Sequence, residues 1–359
     1  MRLGWWENTV TNHADVRSAF ASALTRSVDV DEDIGAPPNV SVVRVRGGVG
    51  REKLATTLAM AQVPVRANAR GWELTAHPSL ESRRTAGWLR EVSDAAEEML
   101  PGRVDRLMLH VDGPWSVGAN VEYRGHAVVE DRPAFRDMAL HLGEGVREFA
   151  RLGERIGADV VLAVHEPRVV EVLRGLEGST EFDPVQAVDR EIVAGVWQRF
   201  LDQVGVGAGD GVNTAVLDCE GFVPEEVADV LPGIGGFTRV VVPSAQLDSA
   251  AGKDLIGGLL GQLIPQGRGI GWADSRAGAG GGADVAQGAG SRTGGGANVT
   301  QEAEDIAKAV LRQWSQWTLP ADALPGAVDV VVPEATRTIA EASMAAARAR
   351  LVASLLWKN

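Results

Sequence analysis

The chain has 359 residues and a mass of 37.9 kDa, with 45% hydrophobic and 23% charged residues. This composition is that of a globular protein, and the length suits one large α/β domain or two ordinary ones. Its 48 acidic and 35 basic side chains leave a net charge of −13, which argues against nucleic acid or an anionic membrane as a partner. The single cysteine, Cys219, excludes an intrachain disulfide and any metal site built from several cysteines.

The beginning of the chain has no apolar core of the length found in signal peptides. No stretch approaches the 18 or so uninterrupted apolar residues that are typical of a membrane-spanning helix. We therefore expect a cytoplasmic protein without a membrane partner, whose oligomeric state the sequence leaves open.

Eight short β-rich runs alternate with longer helical patterns along the chain. The predicted strands are Arg2–Trp6, Val40–Val45, Arg106–Val111, Asp159–Val164, Thr214–Leu217, Arg239–Val242, Gly269–Trp272 and Val328–Val332. Several are continuous apolar runs, which are typical of strands covered on both faces. Between them, apolar residues recur at three- and four-residue spacing, as over 135–156, 192–204, 306–317 and 344–355.

Regular alternation of strand and helix predicts a parallel sheet. Eight such units favour closure into a single (β/α)8 barrel, the TIM-barrel class of α/β fold, over residues 1–359. The alternative architecture is an open doubly wound sheet with an additional lobe.

Two stretches depart from the alternation. Residues 46–80 are too long for a simple loop and predict a small excursion around Trp72–Pro78. Residues 276–298 are rich in glycine and alanine and predict a flexible insertion.

In a barrel of this kind, functional groups gather at the carboxyl ends of the strands. Polar residues at these predicted ends are Glu7, Asn8, Asp112, His165, Glu166, Asp218, Cys219, Glu220, Ser244, Gln246, Asp274 and Glu334. We predict that they converge on an acidic mouth. The two carboxylates beside Cys219 raise the pKa of its thiol, which argues against a reactive thiolate. Trp5 and Trp115 are placed to stack on a flat ligand.

The run Leu107–Trp115 resembles the Gly-Pro strand of the cobalamin-independent methionine synthases. His165–Pro167 lies where that family has Asp-Glu-Pro, Thr214–Glu220 where it has a His-x-Cys strand, and Val330–Ala335 where it has Asn-Pro-Asp-Cys-Gly. Order and spacing match over essentially the whole chain. The chain is similar to the short, single-barrel relatives of actinobacterial type, within the superfamily that includes uroporphyrinogen decarboxylase. The resemblance independently implies a (β/α)8 barrel.

The resemblance also implies zinc-assisted methyl transfer from methyltetrahydropteroyl-polyglutamate to the thiol of homocysteine. The zinc ligands of the family are largely missing from this sequence. The histidine of His-x-Cys falls on Leu217 and the final cysteine on Ala335, so Cys219 is the one surviving candidate ligand. A zinc site needs three or four ligands. We therefore expect no bound zinc and no other cofactor.

The candidate catalytic residues are Asp112, His165 and Glu166. The candidate substrate-binding residues are Gly4, Trp5, Trp115, Ser244 and Glu334. Two functions stay open. One is a methyltransferase with a rebuilt site that acts on a small thiol amino acid with a folate-like donor. The other is a non-catalytic binding or regulatory barrel that has kept the fold.

Overall fold

The computed structural model describes residues 3–28, 39–47, 50–176, 184–209, 211–274 and 295–358, without the side chains of 295–297 and 336. The strands are β1 (Trp5–Thr11), β2 (Asn39–Ser41), β3 (Arg44–Val45), β4 (Val65–Asn68), β5 (Gly71–Leu74), β6 (Arg106–Asp112), β7 (Val121–Tyr123), β8 (His126–Ala127), β9 (Asp159–His165), β10 (Val212–Asp218), β11 (Phe237–Pro243), β12 (Gly269–Ala273) and β13 (Val328–Arg337). The helices are α1 (Val16–Val28), α2 (Lys53–Met60), α3 (Leu80–Met99), α4 (Pro114–Asn120), α5 (Arg132–Ala150), α6 (Leu152–Ile156), α7 (Val169–Arg174), α8 (Arg190–Val204), α9 (Glu225–Val230), α10 (Ala250–Leu263), α11 (Gly295–Gln316), α12 (Leu324–Ala327) and α13 (Ile339–Trp357).

The main sheet is a large, curled, parallel sheet of nine strands in the order β2-β6-β9-β10-β11-β12-β13-β1-β3. From β6 to β13 this order follows the chain, and helices connect the strands. A doubly wound sheet reverses its strand order at a switch point. The strands from β6 to β13 show no such reversal. The α/β prediction with a large parallel sheet is therefore confirmed, and this strand order argues against a doubly wound sheet. The two edge strands, β2 and β3, both come from the segment 39–45.

Six of the eight predicted strands coincide with β6 and β9 to β13, apart from shifts at their ends. The first strand lies further along the chain than predicted, so Glu7 and Asn8 belong to β1 and do not follow it. The predicted second strand is split. Its first part pairs with β6 and its last part with β1, and the change of partner interrupts regular pairing at Val42 and Val43.

The inner face of the curled sheet has its own small core, separate from the helix-facing core. Its buried members are Leu3, Trp6, Met108, Val161, Ala163, Val216, Val241, Ala273 and Val331. Trp6 is the largest of them and fills much of this space. Gly271 makes room for its ring, because a Cβ at that position would lie 2.6 Å from Cη2 of Trp6. The interior is therefore packed by side chains below the site described next.

The excursion predicted around Trp72–Pro78 exists as part of a second, four-stranded sheet. The hairpins β4–β5 and β7–β8 are joined by parallel pairing between β5 and β7. The same stretch of chain also contains α2, which the sequence pattern did not predict. This helix matters for the site because Lys53 is its first residue.

The predicted insertion 276–298 is only partly covered by the structure. Its last residues, 295–298, belong to α11, and residues 276–294 lie outside the described residues. Its proposed flexibility stays a prediction for that part. Among the described residues, no helix is both long and apolar enough to cross a membrane.

Candidate functional site

The centre of the candidate site is the ammonium group of Lys53. Its Nζ lies 2.9 Å from Oε2 of Glu334 and 3.7 Å from Oδ1 of Asp112, and it contacts Oε1 of Glu220. The Lys53 and Asp112 side chains are buried, whereas those of Glu220 and Glu334 are 25% and 35% exposed. A buried ammonium thus lies among three carboxylates, of which the two glutamates are part-exposed.

Strand register explains why these groups meet. Asp112, the last residue of β6, is paired with His165, the last residue of β9, which is in turn paired with Asp218 of β10. Because alternate residues of a strand share a face, His110 lies on the same side of β6 as Asp112. Glu220 follows β10 by two residues. The carboxyl ends of neighbouring parallel strands therefore bring these side chains together.

Two histidines form a hydrogen-bonded pair below the ammonium group. Nδ1 of His110 lies 2.9 Å from Nε2 of His165, and Nε2 of His110 lies 3.1 Å from Oγ of Ser41. Nδ1 of His165 lies 2.9 Å from Oε1 of Glu220 and 3.4 Å from Oδ2 of Asp218. This arrangement suits a His165 ring with protons on both nitrogens, which donates to a neutral His110.

The electrostatics of the pair support that assignment. Burial and Lys53 lower the pKa of His165, but the carboxylates of Asp218 and Glu220 outweigh them and hold it above the ordinary 6.5. Burial, with a contribution from the charge of His165, lowers the pKa of His110 well below 6.5. An additional proton on the pair therefore belongs to His165 and not to His110.

Asp112 and Lys53 are shifted in different ways by the same surroundings. Burial raises the pKa of Asp112 to about 6, although Lys53 acts against it. Burial also disfavours the ammonium form of Lys53, but Asp112, Glu220 and Glu334 outweigh burial and raise the lysine pKa above 10.5. Asp112 is thus a group that titrates near neutral pH, while Lys53 stays protonated and is not a nucleophile.

A second cation, Arg44 of β3, lies on the other side of Glu334. Its Nη1 is 3.1 Å from Oε2 of Glu334, and its guanidinium also donates to Oδ1 of Asn8. Nδ2 of Asn8 donates to the same Glu334 oxygen over 3.2 Å.

We call the whole group of side chains the mouth cluster. It consists of Asn8, Ser41, Arg44, Lys53, His110, Asp112, His165, Asp218, Glu220 and Glu334. Its three possible cations, Arg44, Lys53 and His165, stand against four carboxylates, so the two signs nearly balance.

The structure places Glu166 outside the mouth cluster. Its Oε1 accepts from the indole N–H of Trp197 over 2.8 Å and from the backbone N–H of Trp115 over 3.2 Å. Its Oε2 accepts from the backbone N–H of Ser116 over 2.7 Å. Glu166 is fully buried, and its carboxylate caps the backbone N–H groups in the first turn of α4. Gly113 allows this approach, because a Cβ there would collide with the carboxylate.

Gly4 and Trp5 lie at the amino end of β1, the opposite end of the strand from the mouth. The N–H of Gly4 donates to Oδ1 of Asp329 over 2.7 Å, and the other oxygen of Asp329 accepts from Nε of Arg239 over 2.6 Å. The side chains of this ion pair are completely buried. Trp5 packs in the helix-facing core. Neither Gly4 nor Trp5 meets the mouth cluster.

The remaining predicted residues are dispersed. Trp115 is buried, and its indole N–H donates to the carbonyl oxygen of Val193 over 3.2 Å. Ser244 begins a short 3-10 helix after β11. Of the predicted substrate-binding residues, Glu334 alone belongs to the mouth cluster.

Sequence reasoning missed Ser41, Arg44, Lys53 and His110. His110 had a usable signal, because it stands two residues before Asp112 in a strand that alternates. Lys53 had none, since it comes from a helix that the pattern did not predict.

The metal-ligating side chains near the mouth do not fit the zinc centre that the resemblance implies. Among the described residues, His165, Glu220 and Glu334 form a group whose ligand atoms lie within 4.8 Å of one another. Cys219 is not part of this group; burial, with Asp218 adding to it, raises its thiol pKa well above 9. The ammonium of Lys53 contacts both glutamates and supplies the positive charge between them.

None of the protein-family models matches the sequence, and no curated protein is significantly similar to it. Among solved structures, the chain is similar to the crystal structure of the "Putative Vitamin-B12 Independent Methionine Synthase from Listeria monocytogenes". That similarity has a TM-score of 0.42 at 10% sequence identity, and it covers 95% of this chain and 86% of the other. At these values the likeness carries no conclusion about activity or site residues.

Proposed function

We propose that this chain is a (β/α)8 barrel whose mouth cluster binds a small neutral or zwitterionic molecule without a metal ion. The observation that carries the proposal is the position of Lys53 among the carboxylates of Asp112, Glu220 and Glu334. Burying a charge is costly unless opposite charges surround it. Lys53 therefore supplies the positive charge among these carboxylates, so they need no metal cation between them.

Closure of the sheet into a full barrel is part of this proposal. Its support is that both edge strands belong to the segment 39–45, which contacts β6 through one half and β1 through the other. Ser41 Oγ donates to the carbonyl oxygen of Glu7 over 2.7 Å, and the N–H of Val42 donates to that of Met108 over 2.8 Å. One segment thus spans both edges of the sheet.

The charges of the mouth cluster define the ligand class. A ligand with a net charge would upset a group of cations and carboxylates that already nearly balance. An amino acid carries one charge of each sign, so its amine suits the part-exposed Glu220 and Glu334 and its carboxylate suits Arg44. A thiol amino acid, the acceptor class that the resemblance implies, belongs to this group.

Two candidate activities remain for such a site. An acid–base enzyme is favoured by Asp112, which titrates near neutral pH beside His165 in a buried cluster. A binding barrel is favoured by Lys53, whose charge is fully matched by protein carboxylates. Zinc-dependent methyl transfer to homocysteine is not supported, because Leu217 and Ala335 cannot ligate a metal and Cys219 is a buried thiol.

The test combines metal analysis with calorimetry. We expect purified protein to hold no stoichiometric zinc and to bind a zwitterionic amino acid, with homocysteine and methionine as first probes, in the presence of EDTA. Lys53→Met should weaken that binding about tenfold or more, since it leaves buried carboxylates unpaired. Lys53→Arg should retain most of the affinity, and Lys308→Met, an exposed control with the same charge change, should retain all of it.

Two other results would each contradict one part of this proposal. One tightly bound zinc per chain that Cys219→Ala removes would overturn the metal-free proposal and restore the methyltransferase hypothesis. Homocysteine methylation by the EDTA-treated protein with methyltetrahydropteroyl-polyglutamate would show that the chain supports methyl transfer without zinc, and it would exclude the binding-only candidate.

A further inference from the structure

Away from the mouth, a groove of about 770 Å³ lies between α5, α8 and the segment 185–189. Its apolar lining residues include Val129, Phe135, Leu140, Val188, Ile192 and Val196. Leu140 of α5 and Ile192 of α8 are 45% and 54% exposed. Large exposed apolar side chains on two neighbouring helices mark a surface that is suited to a ligand, and the volume is typical of small-molecule sites.

Aromatic rings form part of the lining. The rings of Trp115 and Phe135 pack with their centroids 4.7 Å apart. The indole N–H of Trp115 is already bound to the carbonyl oxygen of Val193. Both side chains are buried, so the pair forms the apolar floor of the groove and has no free donor.

The polar groups of the groove are predominantly positive. Arg132 and Arg199 both line it, and neither guanidinium has a hydrogen bond or ion pair with the part of the chain that the structure describes. Arg136, a third lining residue, has a contact of 3.4 Å with its neighbour Asp137. Within the part of the chain that the structure describes, these two positive charges thus have no acidic partner, although the protein has a net charge of −13.

The two acidic side chains of the groove do not neutralise these arginines. Oε1 of Glu130 accepts from the backbone N–H of Ala127 over 2.9 Å. Oδ1 of Asp189 accepts from the N–H of Glu191 over 2.9 Å and caps the start of α8. Both carboxylates are thus held by local backbone donors. The groove combines an apolar surface with free guanidinium groups at its rim.

We propose that this groove binds a small amphipathic anion, namely a carboxylate with an alkyl or aromatic body. Arg132 and Arg199 pair with the carboxylate, since guanidinium groups bind carboxylates through parallel hydrogen bonds. The apolar body covers Leu140 and Ile192 and removes their surface from water. The site is separate from the mouth cluster and does not depend on the function proposed there.

The test is calorimetric titration of the full chain with decanoate, and with 1-decanol as an uncharged probe of the same length. We expect saturable binding of decanoate and binding of decanol that is about tenfold weaker. The double variant Arg132→Ala/Arg199→Ala should weaken decanoate binding about tenfold, a modest effect because both arginines are exposed. The control Arg90→Ala/Arg103→Ala makes the same charge change at exposed positions outside the groove and should leave the affinity unchanged.

A second variant tests the apolar half of the proposal. Leu140→Ser/Ile192→Ser should weaken the binding of both probes, whereas the arginine variant should affect decanoate alone. All substituted side chains are exposed, so folding should be retained, and circular dichroism checks this. The absence of saturable decanoate binding to the wild-type chain, or equal affinity of the wild-type and arginine-substituted chains, would overturn the proposal.

Discussion

At the scale of single residues, Glu166 and Lys53 show how two buried charges are accommodated differently. Lys53 keeps its charge because carboxylates surround it. Glu166 is surrounded by neutral donors, two backbone N–H groups and one indole, and burial raises its pKa to about 7 in spite of them. The same side chain that the sequence suggested as a catalyst therefore holds α4 against β9.

The shifted pKa of Glu166 predicts a pH-dependent stability. An ordinary glutamate has a pKa of 4.5, so between pH 4.5 and about 7 the native state binds more protons than the unfolded state. The contribution of Glu166 to the free energy of unfolding should therefore fall by about 2 kcal/mol between pH 5.5 and pH 8. Urea unfolding at these two pH values measures the fall.

The comparison of variants isolates this residue from other titrating groups. In Glu166→Gln the fall between the two pH values should be smaller by that amount, and overall stability should be lower because the amide offers one acceptor where the carboxylate offers two. Glu171→Gln changes a part-exposed carboxylate on the nearby α7 and should leave the fall unchanged. An identical pH dependence in wild-type and Glu166→Gln protein would contradict the raised pKa.

At the scale of secondary-structure elements, the segment 39–45 is the least regular part of the main sheet and supplies both of its edge strands. The Asn39 side chain compensates for the irregular pairing. Its Nδ2 donates to the carbonyl oxygen of Trp5 and lies 3.5 Å from that of Leu3, both on the neighbouring β1 segment. Because β2 pairs with β6 and not with β1, this side-chain donor takes the place of backbone hydrogen bonding between β2 and β1.

Asn39→Ala should therefore destabilise the protein by about 1–3 kcal/mol, since it leaves a buried carbonyl oxygen without its donor. The expected loss is measured by chemical unfolding. Asn12→Ala, which changes an exposed asparagine just after β1, serves as the control and should have little effect. Equal effects of the two substitutions would show that the bridge from β2 to β1 contributes nothing to stability.

At the scale of the whole molecule, apolar side chains pack on the inner face of the sheet, and charged side chains gather at one end of its strands. Trp6 and its neighbours fill the space on the inner face, and the mouth cluster lies at the carboxyl ends of the strands above them. Most of the stretch between β12 and α11 lies outside the described residues. The low-complexity sequence 276–294 falls within this stretch.

Replacement of residues 276–294 by a short Gly-Ser linker should leave the melting temperature within a few degrees of the wild-type value, because loop length affects closure entropy only weakly. Differential scanning calorimetry measures this. A longer deletion, 276–305, also removes the first half of α11 with the buried Ala303 and should lower the melting temperature strongly. A large loss from the shorter deletion would show that this sequence packs against the rest of the protein.

The strands that sequence alone located well are those with continuous apolar runs. β9 is a clear example, with Val160–Val164 buried on both faces. The predicted position of β1 was shifted because the strand contains Glu7, Asn8 and Thr9, which are typical of loops. Glu7 is buried nevertheless, since its carboxylate is bound by Arg26 at 2.7 Å. A partner 19 residues away cannot be read from a local pattern.

The sequence by itself determined the α/β alternation, the parallel sheet and the edge at which polar residues gather, because apolar periodicity and strand ends are local properties of the chain. Only the tertiary structure decided which of those polar residues meet. Lys53 contacts Glu334 across 281 positions of sequence, while Glu166 is held away from its neighbour His165 by the donors of α4. Contacts of that kind depend on strand register and on the direction of each side chain, and both are settled when the whole sheet is assembled.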